Sequence, residues 1–151
     1  TRELAAKYAV SELVEWHDRI SYDESRRRQC ETSVLLIIEP TGESALGVYT
    51  GKVYEYLGAG RPILGIGPRG GALDHLLQAV RAGVVADNVS DLQKILRTWI
   101  GEWRSCGRIR TWWGPPKERQ LEPYSGWSQS VLLSEFLDHV ATLAANNGVP
   151  R

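Results

Sequence analysis

Thr50-Gly51-Lys52-Val53 and Glu55 are the residues of this chain whose types and spacing suit the binding of a charged ligand. They open a short helix that follows an apolar run, Val34 to Ile38, and a loop over residues 39–51 rich in Gly, Ser and Thr. Free N–H groups at a helix start favour an anion, and the helix dipole adds to that preference. A flexible loop gives backbone amides room to approach the anion. Lys52 brings a cation, so the junction suits a diphosphate. Glu55, one turn inside the helix, is placed where a carboxylate meets the two hydroxyls of a ribose. An ordinary helix start has the same residues: Thr50 or Gly51 as cap, Lys52 in solvent, and Glu55 complementing the dipole for about 0.5 kcal/mol.

The run Gly51-Lys52-Val53-Tyr54-Glu55-Tyr56-Leu57-Gly58-Ala59-Gly60-Arg61-Pro62-Ile63 resembles, nearly position by position, a helix of the donor-nucleotide half of glycosyltransferases with the two-Rossmann (GT-B) architecture. The likeness is closest to those related to family 4; it is strongest over residues 13–100 and weaker to the C-terminus. It implies that Glu55 binds the ribose and that the amides of Thr50, Gly51, Lys52 and Val53 hold the diphosphate. It also implies that Ile20, in the segment Asp18-Arg19-Ile20, contacts the base; a simple loop leading to Ser21 is the other reading of Ile20. Many family 4 enzymes carry an earlier glutamate that contacts the sugar. Here that position is Gly47 and the nearest acid, Glu43, is out of register, so either Glu43 reaches in or backbone holds the sugar, whose identity stays open.

At 151 residues and 42% hydrophobic content the chain is long enough for one domain with its own core. A formal net charge of +0 gives no basic field for nucleic acid, and Arg26-Arg27-Arg28 is a solvated helix face. No apolar stretch approaches a membrane span, and no signal-peptide pattern opens the chain. Cys30 and Cys106 stand apart, without metal spacing, as free thiols of a reducing, cytoplasmic compartment. His17 and His75 lack partners at metal or triad spacing, His139 is expected at the surface, and no Asp-x-Asp pair is present to hold a metal. No metal and no cofactor is implied. Met is absent, so Thr1 is not a natural start and the chain is expected to be a piece of a longer protein.

Pattern and capping signals predict a helix over 3–12, a short strand Leu13–Trp16, and a helix from a Ser21/Glu24 capping box to about Cys30. A strand over 34–38, apolar enough to be covered on both faces, follows. Next come the helix 52–58, a strand 62–66, a helix 72–82 ended by Gly83 as a C′ glycine, and a strand at Val84-Val85. Ser90 is expected to cap a helix from Asp91 to about Trp103. Residues 104–128 form an irregular connection. Within it, Trp112-Trp113 with Arg108 and Arg110 either fills a packed cover or touches a membrane surface or partner domain; packing is favoured. A helix over 130–145 closes the chain, with Leu132, Leu133, Phe136, Leu137, Val140 and Leu143 inward and Asn146-Asn147-Gly148 as its stop.

Alternating strands and helices predict an α/β, Rossmann-like parallel sheet with flanking helices, here the C-terminal half of a GT-B architecture in one donor-binding domain with its core at 13–103. Of the six strands of such a sheet, the two not accounted for would precede Thr1 and lie centrally in the order 3-2-1-4-5-6. Either the remaining strands pair with each other, or a second copy covers the exposed edges. The expected function is the donor half of a hexosyltransferase-type enzyme using a nucleotide-diphosphate sugar, with the acceptor half elsewhere and no transfer by this chain alone. A non-catalytic nucleotide-binding or oligomerisation module of the same fold is the alternative; epimerase chemistry lacks an acid–base set.

Overall fold

The computed structural model describes residues 2–40, 50–111 and 114–146. Its helices are α1 (Arg2–Lys7), α2 (Tyr22–Glu31), α3 (Lys52–Ala59), α4 (Ala72–Val80), α5 (Val89–Cys106), α6 (Glu118–Leu121) and α7 (Gly126–Asn146). Among the described residues three strands, β1 (Leu35–Ile38), β2 (Ile63–Ile66) and β3 (Gly83–Ala86), form one parallel sheet in the order β1-β2-β3. Leu35 lies opposite Ile63 and Ile63 opposite Gly83. This is a mixed α/β arrangement compatible with a Rossmann-like fold. The strands pair directly with one another, without the central gap that the order 3-2-1-4-5-6 would leave.

The sheet has two unequal faces. Leu35, Ile37, Ile63 and Val85 meet Val53 and Leu57 of α3 and Leu73, Leu76, Leu77 and Val80 of α4 in the main core. Burying each of the larger side chains stabilises by about 1.5–3 kcal/mol. On the reverse face Trp99 of α5 packs with Leu64 and Ile109, flanked by Val84, Leu92 and Ile95. α5 covers β2 and β3 there, but not β1. Leu36 and Ile38 are therefore 48% and 64% exposed, and the expectation that this strand is covered on both faces is corrected.

Four further expectations change. Residues 13–16 are not a strand: Leu13 ends a 3-10 turn from Ser11, and residues 14–20 are irregular and mostly exposed. A strand needs a hydrogen-bonded neighbour, and none among the described residues lies beside them. Gly83 is not a C′ glycine, because Arg81 takes the left-handed cap of α4 at φ 56°. Gly83 instead opens β3, where a Cβ would overlap the Ile63 carbonyl. Asn88, not Ser90, caps α5: its side chain accepts the Asp91 N–H at 2.9 Å, and the helix runs on to Cys106, inside the stretch expected to be irregular. Finally, the apolar residues of α7 are not inward. Phe136 is 61% exposed, and Leu132, Leu133, Leu137, Val140 and Leu143 are exposed with it. α7 packs on the Glu122–Tyr124 turn rather than on the sheet among the contacts of the described residues. Gly47, Glu43, Trp112, Trp113 and the stop at Asn147-Gly148 lie outside the described residues.

Candidate functional site at the carboxyl edge of the sheet

α2 leads through Thr32–Val34 into β1, and α3 leads through Gly60–Pro62 into β2. Both helices therefore end at the amino edge of the sheet and begin at its carboxyl edge, where open α/β sheets bind ligands. Gly60 makes the α3 exit possible, with φ 63° in the left-handed region that glycine adopts without cost. The Arg61 guanidinium fastens this end by donating to the Cys30 carbonyl at 2.5 Å. Sequence position alone thus brings Ile20, Thr50, Gly51, Lys52, Val53 and Glu55 to one edge.

Their individual environments differ. Gly51 is the N-cap of α3 and supplies no side-chain cap. The Val53 and Tyr54 amides turn back onto the carbonyls of Thr50 and Gly51, at 3.0 and 3.2 Å. Val53 itself is fully buried in the core, so its side chain faces away from any ligand. Among the described residues no partner is assigned to the amides of Gly51 and Lys52, and these are the groups left for an anion. Lys52 is exposed. Glu55 is exposed too, and its Oε2 accepts a 3.3 Å bond from Gln29 Nε2 of α2, a group shared with Ser25 Oγ. Ile20 sits just before Ser21, the N-cap of α2, and is 39% exposed in irregular backbone. The Ser21 cap forms, accepting the Glu24 N–H at 3.2 Å. The Glu24 carboxylate does not reach back as a capping box requires: Arg27 and Arg28 hold it at 2.8 and 2.7 Å and push its pKa down to about 2.

α4 also begins at this edge, yet its N-terminus is already occupied. Asp74, buried on the first turn, accepts the Gly70 N–H at 2.9 Å and the Gln78 side chain at 2.8 Å. Arg69, in the preceding turn, is held by Asp91 at 2.7 Å. Two roomy surface concavities lie elsewhere. One, of about 640 Å³, sits at the amino edge beside Ser33, Arg61 and Pro62. The other, about 660 Å³, lies between α3 and the Glu118–Ser125 stretch. Neither contains the α3 N-terminus, and sheet topology is the better guide to a ligand here than cavity size.

The residue that sequence reasoning missed is Glu39. It follows β1 directly, donates its N–H to the Ile66 carbonyl at 2.8 Å, and is only 4% exposed. Both carboxyl oxygens are buried without a hydrogen-bond partner, and burial raises the pKa. A signal existed: Leu35, Ile37 and Glu39 alternate, which places Glu39 on the covered face of the strand. No group of His, Cys, Asp and Glu among the described residues could hold a metal ion, and no described helix is long and apolar enough to cross a membrane. No protein-family model, curated protein or solved structure matches the chain.

Proposed function

We propose that this chain is the donor-binding half of a cytoplasmic, metal-independent glycosyltransferase of GT-B architecture. It takes a nucleotide-diphosphate sugar, while the acceptor binds to a second domain. The observation that carries this reading is the start of α3. Gly51 and Lys52 amides without partners among the described residues, a neighbouring ammonium, and an exposed carboxylate one turn further on lie together at the carboxyl edge of a parallel sheet. The amides and Lys52 stabilise charge that grows on the departing diphosphate. Glu55 accepts from the ribose hydroxyls, for which the single 3.3 Å bond from Gln29 is easily exchanged.

The test is a thermal-shift panel of UDP-, GDP- and ADP-sugars at millimolar concentration, read by linkage. One family of nucleotides is expected to raise the midpoint. Glu55→Ala, at an exposed position, is expected to leave the fold intact and weaken binding by about 1.5–3 kcal/mol, or roughly ten- to a hundredfold. A Glu55→Ala chain that binds as well as the parent returns Glu55 to an ordinary helix surface.

A further inference from the structure

Glu39 departs from how buried carboxyls are normally housed. Burying a carboxyl group without hydrogen-bond partners is costly, and native folds seldom tolerate it without a compensating use. Here the surroundings are arranged around it. Its side chain follows Leu35 and Ile37 onto the face covered by α3 and α4, and it lies across the backbone of Gly67, the residue after β2. A Cβ at Gly67 would come within 2.9 Å of Oε2 and 3.1 Å of the Glu39 Cβ, so the carboxyl lies directly against the backbone of residue 67, where a side chain would crowd it. The group therefore sits at the carboxyl edge, on the side where α3 and α4 begin.

Resting on the donor-site reading above, we propose that Glu39 is the residue that recognises the sugar moiety, accepting hydrogen bonds from its hydroxyl groups. The chemistry of the surroundings selects the ligand class. Both oxygens need donors, so an anionic group alone cannot satisfy them. The N-terminus of α3, which no carboxylate closes among the described residues, carries partial positive charge on this side, which disfavours an ammonium group or a metal ion. Glu39 belongs to no group of three or more His, Cys, Asp and Glu that could hold a metal ion among the described residues. A neutral polyol supplies donors without charge, and a sugar attached to a diphosphate held at the start of α3 brings such hydroxyls to the same edge. This assignment gives the sugar a side-chain partner other than Glu43 or backbone.

The experiment compares binding of UDP and GDP with that of UDP-glucose and GDP-mannose to the full chain and to Glu39→Gln, by calorimetric titration, with circular dichroism checking the fold. The parent is expected to bind a sugar nucleotide more tightly than the matching diphosphate. Glu39→Gln, nearly the same size, is expected to lose about tenfold or more of that advantage and to bind the diphosphate unchanged. Glu39→Asp, with the carboxylate withdrawn by one methylene, should lose it as well. A variant that keeps the full sugar advantage overturns the proposal, and so does one that loses diphosphate and sugar nucleotide equally, or a parent that shows no sugar advantage. A parent that binds neither kind of ligand overturns the donor reading itself. Normal diphosphate binding with an unaltered Glu39→Gln profile overturns only the assignment of Glu39.

Discussion

Glu39→Gln also has a consequence without any ligand, and pH isolates it. The folded-state pKa of Glu39 is raised by burial, with no charged group offsetting it. Below the unfolded carboxyl value of about 4.3, both states are protonated and no penalty exists. As pH rises past that value the unfolded chain releases the proton and the folded chain does not, so stability falls; the loss is complete once pH passes the raised folded value. Gln copies the protonated form in size and lack of charge. A buried polar group without partners costs about 1–3 kcal/mol, more when charged. Gln buries polar atoms as the protonated carboxyl does, so only the charge separates the two chains, and the midpoint of Glu39→Gln should lie above the parent at pH 8, by about 2–4 °C for each kcal/mol that the charge costs. At pH 4 the difference should vanish. Calorimetric melts of both chains at pH 4, 6 and 8 measure it. Glu24 and Glu102, whose pKa values are lowered, titrate alike in both chains and cancel in the difference. A constant difference across pH, or a Glu39→Gln chain less stable at pH 8, would mean that the carboxylate has a partner and refute the reasoning.

Gly83→Ala should cost at least about 3 kcal/mol in urea unfolding, because the new Cβ meets the Ile63 backbone and cannot withdraw without breaking the 3.0 Å bond from Ile63 N–H to the Ala82 carbonyl; a loss below about 1 kcal/mol contradicts the β2–β3 register. Asn88→Ala should lower stability by about 1 kcal/mol while Ser90→Ala changes little, and equal effects in thermal melts would return the α5 cap to Ser90. Among the described residues the outer edge of β1 is unpaired beside exposed Leu36 and Ile38, so the chain is expected to form a concentration-dependent two-fold dimer, weakened by Ile38→Lys. Light scattering that finds a strict monomer at every concentration ends that expectation.

What was legible in the sequence was what neighbours along the chain decide. Helix α3 was expected over 52–58 and ends one residue later, at Ala59, because a capless glycine start and the left-handed Gly60 are local signals. The Ser21 cap and β2 were readable for the same reason. Distant partners decided the rest. Leu13–Trp16 has strand-like residues but no strand to pair with among the described residues. The stripe on α7 has the period of a packed helix, yet periodicity does not say whether a surface exists to cover it. Arg81 and Gly83 exchanged roles because the glycine is needed where β3 crosses close to β2, and that approach belongs to the sheet rather than to the helix end.

The candidate site shows the same division and explains why one helix start is the anion point rather than two. α3 and α4 both begin at the carboxyl edge, each after a Gly-containing turn. α4 has a carboxylate of its own on the first turn, and Asp74 accepts the Gly70 amide that an incoming phosphate would need. A second anion there would face an existing negative charge at hydrogen-bond range, which outweighs a helix-end contribution of about 0.3–1 kcal/mol. α3 has Glu55 one residue later in its helix than Asp74 is in α4, and that carboxylate is turned outward to Gln29 instead of back over the helix start. Among the described residues the amides of Gly51 and Lys52 are left without a partner as a result. The placement of two acids, one residue apart in register, thus decides which helix can receive a diphosphate and which is closed to it.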